Sequence, residues 1–474
     1  MNSKMYFHKL IGNLLHVISV TGITFMGASC DEFVAIDPPK NQISGSTVFT
    51  NNSTVTSAIS AIYIEMMSNS GFMSGGSSSL TVLAGISSDE LINFQTNADY
   101  VGFSNNAILP KNSILKSQLW DTGYKYIFYA NSILDGLNGS TGITPDLKKQ
   151  VEGEAYFVRA FCNFYLVNLF GDIPVITTTD YRVNRIASRA PSNTVYDQII
   201  ADLQQAQTLL SNDYSFSGGK RIRPNRWAAT ALLARVYLYL QDWGKAEALS
   251  TEVISNTQVY TLKDINSVFL ANSSEAIWQL MPVQSGFNTN EGAIFISSST
   301  PQVAALTNDL LSAFEPNDNR KAAWVGSVTV GSNIFHFPYK YKVKAGSVIT
   351  EYSMILRLAE QYLIRAESRA QQSKIDDAIS DVDALRVRAG LPPIKQTNPG
   401  ITKPDLLVAI EKERRIELFS EWGHRWLDLK RTARADEIMR LIKGSNWEST
   451  DVLYPIPQGE RENNPSLSQN AGYN

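Results

Sequence analysis

Glu421, His424, Arg425 and Asp428 form the densest set of groups able to do acid and base chemistry in this 474-residue chain. On a continuous helix His424 and Asp428 stand one turn apart, and Glu421 one turn before His424, which suits an oriented general base. The competing reading pairs Glu411 with Arg415, Arg414 with Glu417 and Glu421 with Arg425, bracketing the apolar Ile416, Leu418, Phe419, Trp426 and Leu427. Charges drawn toward a core are costly unless paired, so the structural reading is preferred and no catalytic residue is assigned. Histidine is scarce, and once His8 and His16 leave with an N-terminal leader only His336 and His424 remain. That excludes His-rich metal sites and Cys/His catalysis, so neither metal nor cofactor is expected. Glycoside hydrolysis needs two carboxylates facing each other across a sugar. Glu154, Glu360, Glu367 and Glu417 fall on scaffold helices, whereas Asp89, Glu90 and Glu291 lie near loops and are the acids to test.

Binding without chemistry asks for other residues. Sugars present apolar C–H faces and a ring of hydroxyls, which exposed aromatic rings and nearby amides recognise. The chain holds 20 Phe, 20 Tyr and 8 Trp, so location must discriminate. Tyr156, Phe157, Phe161, Phe164, Tyr165, Tyr237 and Tyr239 recur at helical spacing and are assigned to packing. Aromatics stranded among Gly, Ser and Asn have no obvious core around them. The candidate ligand contacts are therefore Phe72, Met73, Phe94, Tyr100, Phe103, Phe287, Asn288 and Trp324, each also able to serve as a loop anchor. Trp324 is the preferred single platform. Trp120, Tyr124 and Asn131 share one helical face and Trp278 lies in a strand, so these are left as structural.

The elements that must position these residues begin after a leader. Residues 1–29 combine Lys4 and Lys9 with an apolar run too short for a stable span and the small residues Gly27, Ala28 and Ser29, ahead of Cys30. This resembles a bacterial lipoprotein signal, in which Cys30 becomes a lipidated N-terminus; an ordinary secretory signal with an incidental Cys is the alternative. Residues 30–46, with Pro38, Pro39 and Gly45, read as a tether. Cys162, within Phe161–Tyr165, reads as a buried small hydrophobe without a disulfide. The net charge of −3 offers nothing to nucleic acid, and no later apolar run approaches the roughly 20 residues that cross a bilayer.

Helical periodicity covers 55–67, 117–137, 145–169, 195–210, 225–240, 243–255, 353–372, 375–389 and 403–420. The fold is thus expected to be mainly α. It divides into an N-terminal helical region 47–259, a loop-rich and short-stranded insertion 260–350, and a C-terminal helical region 351–474, with residues 68–115 a further loop-rich stretch. Ala276–Leu280 and Ile334–Phe337 read as strands. Ala234 precedes Ala246, and Ala366 precedes Ala378, by the same interval in two helical hairpins. Small residues so placed let antiparallel helices approach closely, which resembles tetratricopeptide pairs.

Four segments carry a wider resemblance: Glu154–Ile176 with its Phe-Gly-Asp-Ile-Pro ending, Leu356–Ser368 leading into Leu385–Pro392, Glu413–Arg431, and Leu453–Tyr473. Together, in this order, they are similar to the SusD/RagB family of Bacteroidetes nutrient-uptake lipoproteins. The resemblance implies a tetratricopeptide-like α/α superhelix scaffold bearing an irregular ligand face. It also implies a non-catalytic lid that captures oligosaccharides, or in some members peptides, for a TonB-dependent β-barrel of the SusC type. Asp31 and Glu32 resemble the acidic signal that sends such lipoproteins to the outer surface of the outer membrane.

Overall fold

Apolar residues recurring every three or four positions give a row of helices, each able to bury its stripe only against its neighbours. The computed structural model describes residues 48–473 except 69, 70 and 74; the leader, Cys30 and the tether lie outside the described residues. The principal helices are α1 (Asn52–Ser68), α2 (Asp121–Leu137), α3 (Pro145–Phe170), α4 (Ser192–Leu209), α5 (Arg226–Tyr239), α6 (Trp243–Ser255), α7 (Leu358–Gln371), α8 (Ile375–Arg388), α9 (Lys403–Glu417) and α10 (His424–Arg431). Contacts run in series from α2 to α3, α4, α5, α6 and α7, and α7 packs on both α8 and α9. A wider, π-type turn at Leu115–Trp120 leads directly into α2.

The two hairpins expected to be one unit used twice have the same turn. Between α5 and α6, Gln241 is left-handed at φ 58° and Asp242 N–H donates to Tyr237 O at 2.9 Å. Between α7 and α8, Ser373 is left-handed at φ 62° and Lys374 N–H donates to Arg369 O at 2.8 Å. Each turn thus satisfies the orphan carbonyls of the first helix by the same pattern. Ala234, Ala246, Ala366 and Ala378 are all fully buried, which is where close approach needs small side chains.

Apart from a parallel pair of two-residue strands, Gly71–Phe72 with Ser78–Ser79, the strands are β1 (Leu91–Asn93), β2 (Ala276–Leu280), β3 (Ala304–Leu306), β4 (Val325–Val330), β5 (Asn333–Pro338) and β6 (Ser353–Arg357). β1 pairs with β3, β2 with β6 and β4 with β5, all antiparallel. Residues 353–357 therefore form a strand, which corrects the helix over 353–372 that periodicity predicts. All five are buried, so the segment pairs with the equally buried β2, and the helix begins only at Leu358. Charged groups inside the helical layers are satisfied across elements: Glu154 by Arg223, Arg159 by Asp202 and Arg235 by Glu360.

The chain's last segment returns to the end of α3. Tyr454 N–H donates to Leu169 O at 2.8 Å, and the Asn470 amide donates to Phe170 O and Tyr454 O, each at 2.8 Å.

Candidate ligand-binding site

The acid and base constellation resolves into a buried ionic lattice. Ser420, Trp422 and Gly423 have φ of 53°, 50° and 68°, so the helix breaks between α9 and α10 and Glu421 does not stand on a helix with His424. The expected near-neighbour ion pairs are accordingly replaced by pairs between distant segments. Glu421 accepts from Lys340 and from Arg357, the latter at 2.8 and 2.9 Å. Arg425 grips Asp89 through two bonds of 2.8 Å and reaches Glu411 at 3.0 Å; Arg415 pairs with Asp89 and Asp309. Asp428 accepts from Arg414 at 2.9 Å and Arg431 at 2.7 Å. Glu417 sits among Arg320, Arg357 and Arg388.

These surroundings decide the protonation states. Burial pushes His424 down to about 4, leaving it neutral at physiological pH. Against burial, the Arg414 and Arg431 charges hold Asp428 below the usual carboxylate range. Among the acids near loops, Asp89 is consumed by its guanidinium partners. Burial pushes Glu90 up to about 7 although Ser420 N–H donates to it, and Glu291 up to about 7 although the Ser353 hydroxyl donates to it at 2.6 Å. All three acids are buried. No group of three His, Cys, Asp or Glu among the described residues suits a metal ion.

The loop aromatics mostly turn inward, which corrects the expectation that polar surroundings leave them exposed. Trp324 is 0 % exposed: its indole N–H donates to Ile265 O at 3.0 Å and Lys340 lies 4.9 Å over its ring. Phe72 lies edge-on to Tyr165 and Met73 is buried beside it in the chain; Phe103 is edge-on to Tyr454. The Tyr100 hydroxyl is shared with Ser78 at 2.6 Å. The Asn288 amide is spent on backbone, donating to Val348 O and accepting from Thr350 and Glu351 N–H. The aromatics share a physical reason: Tyr100 and Phe103 stand on the short helix Ala98–Asn105 and Trp324 ends the helix Asn319–Trp324, and such short elements, like the loop at Phe72, hold their shape by driving an aromatic anchor into the core.

Phe94 and Phe287 remain half-buried and open on one side. Phe94 N–H donates to Val303 O, which sets its ring against β5, edge-on to Phe335 at 5.4 Å. Around this pair run Asn93 and Gln95, which hydrogen-bond each other's segment, and the Ser297–Gln302 loop that leads into β3. Ile92 and Ile334 are exposed alongside. The result is a loop face with an aromatic edge, amides and hydroxyls. Phe287 stands apart, where Gly286 O accepts from Gly346 N–H, beside the exposed Val348 and Ile349.

A second opening was missed. Trp120, Tyr124 and Phe128 lie along the face of α2 in a groove of about 400 Å³, walled by residues 174–185 and by the C-terminal segment. The i, i+4, i+8 spacing of three aromatics was the available signal. Asn131, in contrast, is a structural residue as expected, held by Arg159 at 2.7 Å and bonded to Ile176 O.

A scaffold of serial helix pairs that supports irregular loops, with charges internally cancelled and aromatic edges outward, defines a helical-repeat binding protein. The chain matches a family model described as starch-binding associating with outer membrane over residues 48–238, and the model of the SusD family over 320–473. It belongs to the SusD/RagB family. It is 26 % identical to SusD-like protein P25 of Formosa agariphila, over 97 % of this chain and 98 % of that one. A shorter stretch, 25 % of this chain and 21 % of the relative, is 34 % identical to the starch-binding protein SusD of Bacteroides thetaiotaomicron. Among solved structures, a SusD superfamily protein of Bacteroides vulgatus superposes with a TM-score of 0.79 at 21 % identity, over 90 % of this chain and all of that one. A laminarin-binding SusD-like protein superposes with a TM-score of 0.74 at 25 % identity, also over 90 % and 100 %.

Proposed function

We propose that this protein is a non-catalytic, lipid-anchored glycan-binding protein of the outer membrane, which captures oligosaccharides and delivers them to a SusC-like TonB-dependent β-barrel. The observation that carries the reading is the match of both helical regions to models of a family described by starch binding and outer-membrane association. The laminarin-binding neighbour supports the ligand class, and the loop face around Phe94 offers the matching chemistry. Burial of Glu421, His424, Asp428, Asp89 and Glu90, with Glu421, Asp428 and Asp89 held in ion pairs, fits a protein that does not cleave what it binds.

Cys30 is the proposed lipid attachment point, and no helix among the described residues is long and apolar enough to cross a membrane. Cys30→Ser should then move the protein from the membrane fraction to the soluble one. Titration of the detergent-solubilised full chain with laminarin and maltose oligosaccharides should give saturable binding with no new reducing ends. Product formation would count for a hydrolase, and peptide binding in place of glycan binding for a peptide importer. Gentle solubilisation of native membranes should bring down a β-barrel with this protein.

A further inference from the structure

We propose that the groove along α2 is a second oligosaccharide site, separate from the loop face; the inference rests on the glycan-binding reading and specifies it. Its floor is a track of rings. Trp120, Tyr124 and Phe128 succeed one another at four-residue intervals, spanning about 12 Å at the α-helical rise per residue. The first two rings are 5.0 Å apart and inclined at 47°. Trp120 is wedged edge-on against Phe170 at 5.0 Å, and the Tyr124 hydroxyl donates to Pro174 O at 2.9 Å, so both rings are held before any ligand arrives. Phe128, 46 % exposed, is the open end of the track. The π-type turn that delivers Trp120 to this face is the kind of local irregularity often found where a helix has a task beyond packing.

The polar groups around the floor point to a sugar rather than to a lipid or an apolar helix. Lys116 binds both rim carboxylates, Asp121 at 2.8 Å and Glu460 at 2.7 Å, which offsets part of their charge and leaves lone pairs to accept hydroxyl protons. The Asn184 amide donates to Thr178 O, and its oxygen has no donor among the described residues. The Arg185 and Asn463 side chains likewise have no partner among the described residues and supply donors. An apolar occupant would strand these donors and acceptors, at a cost for each, whereas a ring with equatorial hydroxyls would use them.

The walls are held in place. Arg189 ties the two walls together through Asp172 O at 2.7 Å, Ser468 O at 3.2 Å and the Asn470 side chain. A site prepared in this way loses little entropy on binding.

Calorimetric titration of the full chain in detergent with laminarihexaose and with maltohexaose tests the assignment. Phe128→Ala should weaken binding about tenfold at one site, the scale of a single ring contact, with the thermal midpoint unchanged. Asn463→Ala and Arg185→Ala should weaken the same site, each about threefold. Phe94→Ala should leave it untouched. Binding that depends on Phe94 and is indifferent to all three groove variants overturns this inference while leaving the proposed function standing. Failure of the unaltered chain to bind either hexasaccharide overturns both, as does occupation of the groove by a hexapeptide in place of sugar.

Discussion

The aromatics of the loops and the aromatics of the α2 face trade places between what their neighbours in sequence announce and what the fold does with them. Trp324, Phe72 and Phe103 sit among Asn, Ser and Gly and are fully enclosed; Phe128, spaced as a packing residue on a regular helix, stands open at a groove. The polarity of adjacent residues describes what the chain is locally, whereas exposure is decided by what arrives from elsewhere. A loop or a helix of one or two turns has few other means of anchoring itself, so it commits large apolar side chains inward. A helix turns several faces outward, so one of them can stay uncovered.

The sharpest break of this contrast is Trp324→Ala. Removing an enclosed indole should destabilise the fold by about 3–5 kcal/mol, seen as a fall in the chemical-denaturation midpoint, with the ligand sites unaffected in the folded fraction. An unaltered midpoint with lost sugar binding would return Trp324 to the list of ligand platforms.

Next comes Glu90, an acid that its loop would also place outside. Its folded pKa is raised from the ordinary 4.5 to about 7, so the folded state holds the proton more tightly than the unfolded one. The penalty of ionising it is absent below about pH 4.5 and grows as pH rises to about 7. Glu90→Gln should therefore leave stability unchanged at pH 4 and raise it by about 3 kcal/mol at pH 8, measured by urea unfolding. A gain that appears at pH 4 instead would contradict burial as the cause.

Phe94→Ala should lower oligosaccharide affinity at the loop face about tenfold while costing less than about 1.5 kcal/mol of stability, because the ring is only half-buried. The smallest expected effect is that of Phe128→Ala on folding, within about 0.5 kcal/mol by thermal melting, as for other exposed positions. A larger loss would make Phe128 a packing residue after all.

The helices were legible because their apolar positions repeat, and the paired hairpins because Ala234 with Ala246 and Ala366 with Ala378 share one interval. Ser353–Arg357 was not: a short segment buried on both faces carries no alternation to separate strand from helix, and only its partner Ala276–Leu280 decides the matter. The ion pairs of Glu421, Arg425 and Arg415 escaped the sequence for a related reason. Their partners Arg357, Asp89 and Asp309 are remote in the chain, and the left-handed residues at 420, 422 and 423 are not of the kinds that alone predict a break, save for Gly423. Of the candidate site, Phe94 and Phe287 keep an open side, and the groove went unread because regular spacing on a helix normally means packing.

The bonds from Tyr454 and Asn470 to the last carbonyls of α3 have a consequence in time. The end of α3 is capped by residues about 300 positions later, so the first helical layer cannot be completed until the final segment has been made. Closing so long a loop is slow, and until it closes the Leu169 carbonyl lacks the partner it has in the finished fold. A product cut short before Tyr454 lacks both that cap and one wall of the groove. Such a product should be cleaved by an added protease faster than the full chain, which limited proteolysis of the two side by side would check.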